Sequence, residues 1–205
     1  MKKIAIIAFL LAVCVAAGRA QESRQDISLS GSGLIEPHVS SSTDVYVGAN
    51  RAFGALASYR FMLTPSNAVE ANYGITYQNT IHFRSNSVYN TNVLTRTQEI
   101  SGAFVHSFNY HKFNPFVEGG AAGLIFLPIR NSGINGEYAL NVSQQTEIGG
   151  MYGGGIAYEI SPSFDIRAEY RGLITKVPTF GNSANLGTNK WYNIYMPVVG
   201  VAYHF

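Results

Sequence analysis

The sequence predicts an all-β chain folded as an eight-stranded antiparallel up-and-down transmembrane β-barrel, and three observations predict it. An export leader precedes the domain, the rest of the chain alternates apolar and polar residues over runs too long for ordinary strands, and its connections alternate between tight turns and long polar loops. Strand side chains point to opposite faces in turn, so such alternation gives each strand one apolar and one polar side.

The leader comes first. Lys2 and Lys3 make a basic start, Ile4 to Ala17 make an apolar run, and Gly18-Arg19-Ala20 places small residues at the third-last and last positions before a cleavage after Ala20. The run falls short of the roughly 20 residues of a spanning helix. Residues 1–20 are therefore expected to be a signal peptide and 21–205 the barrel domain. The single cysteine, Cys14, lies in the leader, where bulky Val13 argues against lipidation. The exported chain is then without thiols, which excludes disulfides, zinc–thiolate sites and thiol chemistry.

Charged residues are 13% of the chain, against about 25% in soluble domains. The net charge of +2, with no basic patch, argues against nucleic acid as a partner. Beyond the leader no apolar run is long enough for a spanning helix, whereas a barrel needs apolar residues only at alternate positions.

The strands fall, in order, at about 26–35, 47–63, 68–84, 93–108, 115–127, 145–160, 164–177 and 190–205. The third is the clearest. Val69, Ala71, Tyr73, Ile75, Tyr77, Ile81 and Phe83 share one face, and Glu70, Asn72, Gly74, Thr76, Gln78, Thr80, His82 and Arg84 the other. In the fourth, Thr97, Glu99 and Ser101 oppose Ile100, Gly102 and Phe104; in the sixth, Met151, Gly153, Gly155, Ala157 and Glu159 oppose Tyr152, Gly154, Ile156, Tyr158 and Ile160. In the seventh, Asp165, Arg167, Glu169 and Arg171 oppose Ile166, Ala168, Tyr170 and Gly172. These runs exceed the usual 5–6 residues of a soluble strand and match the roughly 9–11 that cross a bilayer at a tilt. Thr64–Asn67, Asn109–Asn114 and Ser161–Ser163 are tight turns, and 36–46, 85–92, 128–144 and 178–189 are long polar loops. Short turns on one rim and long loops on the other mark bacterial membrane barrels.

A soluble lipocalin-like barrel would alternate too, but with its bulk inside. Here the apolar faces carry Tyr, Phe, Ile and Val, whereas the polar faces carry small residues and scattered charges. Eight strands enclose a lumen just wide enough for side chains to fill, so the small faces belong inside. The candidate interior charges are Arg60, Arg167 and Arg171 with Glu70, Glu99, Glu118, Glu159 and Glu169. Buried charge is costly unless paired, so one ionic network that blocks a pore and fixes register is expected, with a gate or proton path as its rival. Paired acids also serve glycosidases, but across an open cleft that a filled lumen lacks. Two interfacial aromatic girdles are expected. Phe61, Phe108, Tyr110, Phe113, Phe164, Tyr203 and Phe205 lie toward the tight turns; Tyr77, Phe83, Phe126, Phe180, Trp191 and Tyr192 lie toward the long loops. An aromatic-lined binding groove is the competing reading of these residues.

The last strand ends Val199-Gly200-Val201-Ala202-Tyr203-His204-Phe205. Val201, Tyr203 and Phe205 share a face, and this ending resembles the terminal signal by which the outer-membrane insertion machinery selects its clients. Pro115-Phe116-Val117-Glu118-Gly119-Gly120-Ala121, Arg167-Ala168-Glu169-Tyr170-Arg171 and the closing strand resemble the small OmpA/OmpX-type outer-membrane barrels. The resemblance covers the whole exported chain and implies a bacterial outer-membrane location. It also implies lipid and lipopolysaccharide as surroundings, the insertion machinery as a partner in biogenesis, and outward loops able to meet a host or cell-surface ligand. No peptidoglycan-binding domain follows, so tethering to the cell wall is not implied.

Catalytic signals are weak. The histidines, His38, His82, His106, His111 and His204, show no metal-ligand spacing. Some outer-membrane barrels hydrolyse lipid A with a Ser-His-acid set, and His82 with Ser85 or His106 with Ser107 supply only fragments of one. Adjacent His106 and Ser107 point to opposite faces of a strand. Gly119-Gly120 and Gly153-Gly154-Gly155 lack the Lys-Ser/Thr of a phosphate loop. The expected function is non-enzymatic: a filled barrel, with no metal or cofactor, that stabilises the outer membrane and presents four loops. A narrow channel or carrier for small hydrophobic molecules and a lipid A-modifying enzyme are the alternatives.

Overall fold

The computed structural model describes residues 24–40, 45–85, 90–133, 141–182 and 186–205; the expected leader, 1–20, lies outside them. The described elements are β1 (Gln25–Leu34), β2 (Val39–Ser40), β3 (Val45–Ala49), β4 (Ala52–Thr64), β5 (Asn67–Ser85), β6 (Asn90–Ser107), β7 (Phe113–Gly133), β8 (Gln145–Ser161), β9 (Phe164–Lys176) and β10 (Trp191–His204). They form one sheet in the order β2-β3-β5-β4-β1-β10-β9-β8-β7-β6, and the β5–β6 pairing closes it. The closed wall is therefore eight antiparallel strands, β1 and β4 to β10, with β3 and β2 extending it above β4. No helix among the described residues is long and apolar enough to cross a membrane; the strands form the spanning unit.

Parity assigns the faces. In β1, Asp26, Ser28, Ser30, Ser32 and Leu34 are buried, while Ile27 and Leu29 are exposed. Leu29, Phe53 and Ile148 are 69%, 82% and 76% exposed, within a continuous mantle of large apolar side chains. In water such a mantle would aggregate; against hydrocarbon it is the required surface.

Three departures from the expected strand pattern bear on the wall and the lumen. The expected strand 47–63 is broken at Asn50–Arg51: β3 pairs with the loop end of β5, Val45↔Ser85 to Ala49↔Ile81, and β4 with its lower part, Phe53↔Tyr77 to Thr64↔Asn67. The expected strand 115–127 continues to Gly133. The third departure matters most. The β5–β6 register slips between Thr76 and Asn79, where Gln78 takes φ 58°, a left-handed conformation. This bulge adds one residue to β5 and reverses its parity. Val69 and Tyr77 stay outside, but Ile81 and Phe83, expected on the same face, turn inward and are fully buried.

The wall is uneven in height. β5, β6 and β7 contain 19, 18 and 21 residues, against 13 and 14 in β9 and β10. At about 3.3 Å per residue and a tilt of about 40°, β5 rises about 45–50 Å, well beyond an apolar band of about 25 Å.

The bulge sets the register above it. Deleting Gln78 is expected to turn Ile81 and Phe83 toward lipid and His82 and Arg84 into the lumen. Refolded protein should then lose its heat-resistant mobility shift on denaturing gels. A deletion variant as heat-resistant as the parent would show that the bulge is dispensable.

Candidate functional site

The lumen holds two layers. Toward the tight turns it is ionic. Arg60 on β4 sits opposite Glu70 on β5 and meets it through Nε at 2.7 Å and Nη2 at 2.6 Å, with its guanidinium 4.9 Å from the centre of the Phe116 ring. Arg167 on β9 reaches Asp26 of β1 at 3.1 Å and Glu70 at 3.9 Å, so Glu70 joins two arginines. Arg171, four residues further along β9, donates through Nη2 to Glu99 at 2.8 Å and Ser101 at 3.1 Å, and its Nε lies 3.4 Å from Glu118. Ser101 in turn donates to Glu99 at 2.7 Å. At the rim, His204 Nε2 lies 2.8 Å from Asp165, and its Nδ1 lies 3.9 Å from Asp26. A cavity of about 90 Å³ opens there, lined by Asp26, Arg60, Asp165, Arg167 and His204 among others.

This network crosses the lumen from β9 to β1, β5, β6 and β7. Strand β8 supplies space. A Cβ on Gly153 would lie 2.5 Å from Glu118 Oε1, and one on Gly155 would lie 2.7 Å from Glu169 Cβ. At Gly155 the backbone itself, Ala168 O, leaves no room for a side chain, whereas at Gly153 a side chain would have to displace the Glu118 carboxylate.

The structure brings Arg60, Glu70, Glu99, Glu118, Arg167 and Arg171 into direct ionic contact. It leaves two candidates out. Glu159 sits partly buried at the rim opposite Asp165, and no ion pair within 4 Å forms on it among the described residues. Glu169 faces the lumen within electrostatic reach of Arg171 and Arg167, but without such a contact. Sequence reasoning missed Asp26, Asp165 and His204 as partners. The signal was present: Asp26 shares the parity of Ser28 to Ser32, and His204 that of Ala202.

Toward the long loops the lumen is apolar, which corrects the expectation of small polar residues throughout. Leu56, Leu124, Leu173, Ile194, Met196 and Val198 are buried together. Phe83, Phe126, Phe180 and Tyr192, expected in the lipid-facing girdle, are buried inside it instead. Phe83 is turned in by the Gln78 bulge. Phe126 has the parity of Glu118 and Leu124, and Tyr192 that of Ile194. Phe180 comes from the β9–β10 connection, which bends back into the mouth with φ 51° at Phe180 and 77° at Gly181. Gln145 Oε1 accepts a bond from Thr179 N–H at 2.8 Å, and Phe180 O accepts one from Ser143 N–H at 2.8 Å. The Phe180 ring then packs edge-on against Phe83 and Phe126, with centroids 6.0 and 6.4 Å away. Of the remaining girdle candidates, Phe61, Phe108, Tyr110, Phe113, Phe164 and Tyr203 lie exposed toward the turns, and Tyr77 and Trp191 toward the loops. In the terminal segment Val201 and Tyr203 point outward, and Phe205 stacks on Tyr203 at 6.0 Å.

Just beyond β1, Glu36 is buried and accepts a 2.6 Å bond from Asn79 Nδ2. Burial pushes its carboxyl up to about 7, against the smaller lowering by the Asn79 bond. Among the described residues His82 Nδ1 meets Asn92 Oδ1 at 2.6 Å and His106 Nδ1 meets Asn67 Oδ1 at 2.8 Å, and the side chain of Ser85 lies outside the described residues.

Residues 5–205 match the family model for the outer membrane protein beta-barrel domain. A search of curated protein sequences returns no match. Among solved structures, OprG from Pseudomonas aeruginosa is similar at TM-score 0.66 and 11% identity, over 90% of this chain and 97% of that one. The neisserial surface protein NspA is similar at TM-score 0.55 and 18% identity, over 89% and 98%. Ail, the attachment invasion locus protein of Yersinia pestis, is similar at TM-score 0.50 and 15% identity, over 90% and 100%. At these identities the likeness is one of fold.

Two outcomes test the lumen. Replacing Arg171 by Met leaves Glu99 and Glu118 uncompensated, and urea unfolding in lipid vesicles should show a loss of about 3–5 kcal/mol. A loss under 1 kcal/mol would remove Arg171 from the centre of the network. For Glu36 the folded carboxyl is the weaker acid, so the folded state binds more protons. Its destabilising effect is absent below about pH 4.5, grows as pH rises, and is complete above about 7. Glu36→Gln should therefore stabilise the loop end at pH 8 and remove a titration step near 7 from the fluorescence of Trp191, beside buried Tyr192. An unchanged step would assign it to another group.

Proposed function

The chain belongs to the outer membrane protein β-barrel domain family, and from that premise we propose that it is a closed integral scaffold whose projecting rim meets ligands at the cell surface. The observation that carries this reading is the tall β5–β7 wall, continued sideways by β3 and β2, standing above the membrane band. A strand crossing needs only about 9–11 residues, so the extra length serves something other than spanning. The interior supports the same reading: ion pairs fill the lumen toward the turns, and toward the loops a buried apolar cluster with the Phe180 ring fills it. Loops on a rigid support are where binding residues concentrate. One fold relative, Ail, is named for attachment and invasion, a role that fits a projecting rim. In this reading the leader is cleaved after Ala20, the Val201–Phe205 ending serves insertion, and no residue is catalytic.

The apolar lining of the loop end favours one second reading, a carrier for small hydrophobic molecules entering from the loop side. The Phe180 plug opposes it, because the ligand must displace that ring.

A strain whose barrel has residues 80–92 replaced by a two-residue turn should still insert the protein and keep its resistance to large antibiotics. It should lose adhesion to immobilised matrix proteins and to neighbouring cells. Unchanged adhesion would reject the surface-binding role. Planar-bilayer recordings of the refolded parent should show no unitary steps; reproducible steps would replace the closed scaffold with a channel.

A further inference from the structure

Within the apolar loop end of the lumen lies a group of polar side chains whose bonding is incomplete. Glu36 follows the Ile35–Tyr195 bridge, is buried, and accepts a bond from Asn79 Nδ2 at 2.6 Å. Asn79 is itself fully buried, and its Oδ1 has no hydrogen-bond partner. Tyr192 on β10 is buried within electrostatic reach of Glu36 and Glu147, and its hydroxyl is unpartnered too. Its cross-strand neighbour Thr175 is buried with an equally unpartnered hydroxyl. Among the described residues no basic side chain forms an ion pair with Glu36 or Glu147. The inward arginines, Arg60, Arg167 and Arg171, answer the acids nearer the turns.

These atoms have one chemistry in common. A carboxylate, an amide oxygen and a hydroxyl all accept hydrogen bonds. The carboxylate also lacks a counter-charge, and its burial without one is what pushes Glu36 up to about 7. A cation carrying N–H donors would answer both needs. The surroundings are aromatic. Phe180 packs edge-on against Phe83 and Phe126, in the same buried cluster as Tyr192. Phe180 stands on the β9–β10 connection and not on the wall, so its ring can leave without unpairing a strand. Gln145 joins this plug to the acids: its Oε1 accepts from Thr179 N–H at 2.8 Å, and its Nε2 donates to Glu147. The plug thus occupies a space the size of one phenyl ring, tied to a set of buried acceptors.

We propose that the loop end of the lumen binds a small primary ammonium with an aromatic body, its nitrogen held by Glu36, Asn79 and Tyr192 and its ring in the space Phe180 vacates. The three N–H donors of an ammonium match three acceptors here: the Glu36 carboxylate, Asn79 Oδ1 and the Tyr192 hydroxyl oxygen. The ligand ring then renews the edge-on contacts of Phe180 with Phe83 and Phe126. An anion would meet Glu36 and Glu147 with like charge, and a neutral aromatic would leave the carboxylate unanswered. A bare metal ion is less suited, since among the described residues no three His, Cys, Asp or Glu side chains converge to hold one. The ligand enters from the loop side and need not cross the barrel, so neither the adhesion assay nor the bilayer recordings decide this site.

The test uses the full chain refolded in phosphatidylcholine nanodiscs and titrated calorimetrically at pH 8, with empty nanodiscs subtracted. The probes are phenethylammonium chloride, neutral 2-phenylethanol and anionic phenylacetate. The ammonium should bind saturably at one site, the alcohol about tenfold or more weakly, and the anion not at all. E36Q should weaken ammonium binding about tenfold or more, and Y192F several-fold, with the heat-resistant gel mobility of each variant kept as the check on folding. F180A, which removes the plug, should strengthen binding several-fold. Equal affinity for 2-phenylethanol would overturn the ammonium assignment. Absence of saturable binding in the parent, parent-like affinity in both E36Q and Y192F, or weaker binding in F180A would overturn the site itself.

Discussion

Arg171 has no exposed surface, and its charge must be answered inside the barrel. A guanidinium taken from water loses several kcal/mol of hydration, recovered only by close, well-aligned acceptors. Glu99, Ser101 and Glu118 supply them from β6 and β7. That single requirement fixes the height of β9 relative to the opposite wall. It also explains the glycines of β8, because the carboxylate that serves Arg171 fills the space a side chain at Gly153 would take. Large charges on one wall and bare backbone on another are one packing solution: a narrow lumen holds either a long ion pair or two facing side chains, not both.

The two layers of the lumen divide the work of closure. An apolar layer is indifferent to register, since leucines and valines pack acceptably after a slip of two residues. An ionic layer is not, because such a slip separates partners and strands charges. The ionic layer sits where β1 and β10, the first and last strands, meet. Asp26 and His204 are paired across that seam, and Arg167 and Asp165 complete it from β9. The seam where the first and last strands pair is thus specified by charge. The apolar layer sits beneath the long loops, where the β9–β10 connection can fold in and seal the mouth with Phe180.

Much of this was legible in the sequence, for a stated physical reason. Strand parity is a property of consecutive residues, so Asp165, Arg167, Glu169 and Arg171 declare one face, and Tyr73 opposite Asn72 declares the other. Strand existence and the closed topology follow from that pattern and the turn residues. The bulge at Gln78 was not legible. Nothing in Tyr77-Gln78-Asn79 announces an extra residue, yet it moved Ile81 and Phe83 from the lipid side to the lumen. Phe126 and Tyr192 were misplaced for a different reason: their aromaticity suggested an interface although their parity with Glu118 and Ile194 already pointed inward. Phe180 lies in a connection, where parity has no meaning, and only the folded loop reveals it. Asp26 was readable and overlooked because a strand's first residue is easily taken for solvent-exposed.

The same parity rule sets what the outside can be. Once the lumen takes the carboxylates, the mantle must be apolar at mid-height, and among the described residues the charges left for the outer surface are basic. Among the described residues two of these outward cations lie over aromatic rings, Arg96 over Tyr77 and Lys176 over Trp191. Each ring face offers its cation a partner where no described carboxylate does. Inner acid and outer base are therefore two consequences of one arrangement: pairing strands with the arginines of β4 and β9 turned inward consumes acid in the lumen and leaves the membrane face free of it.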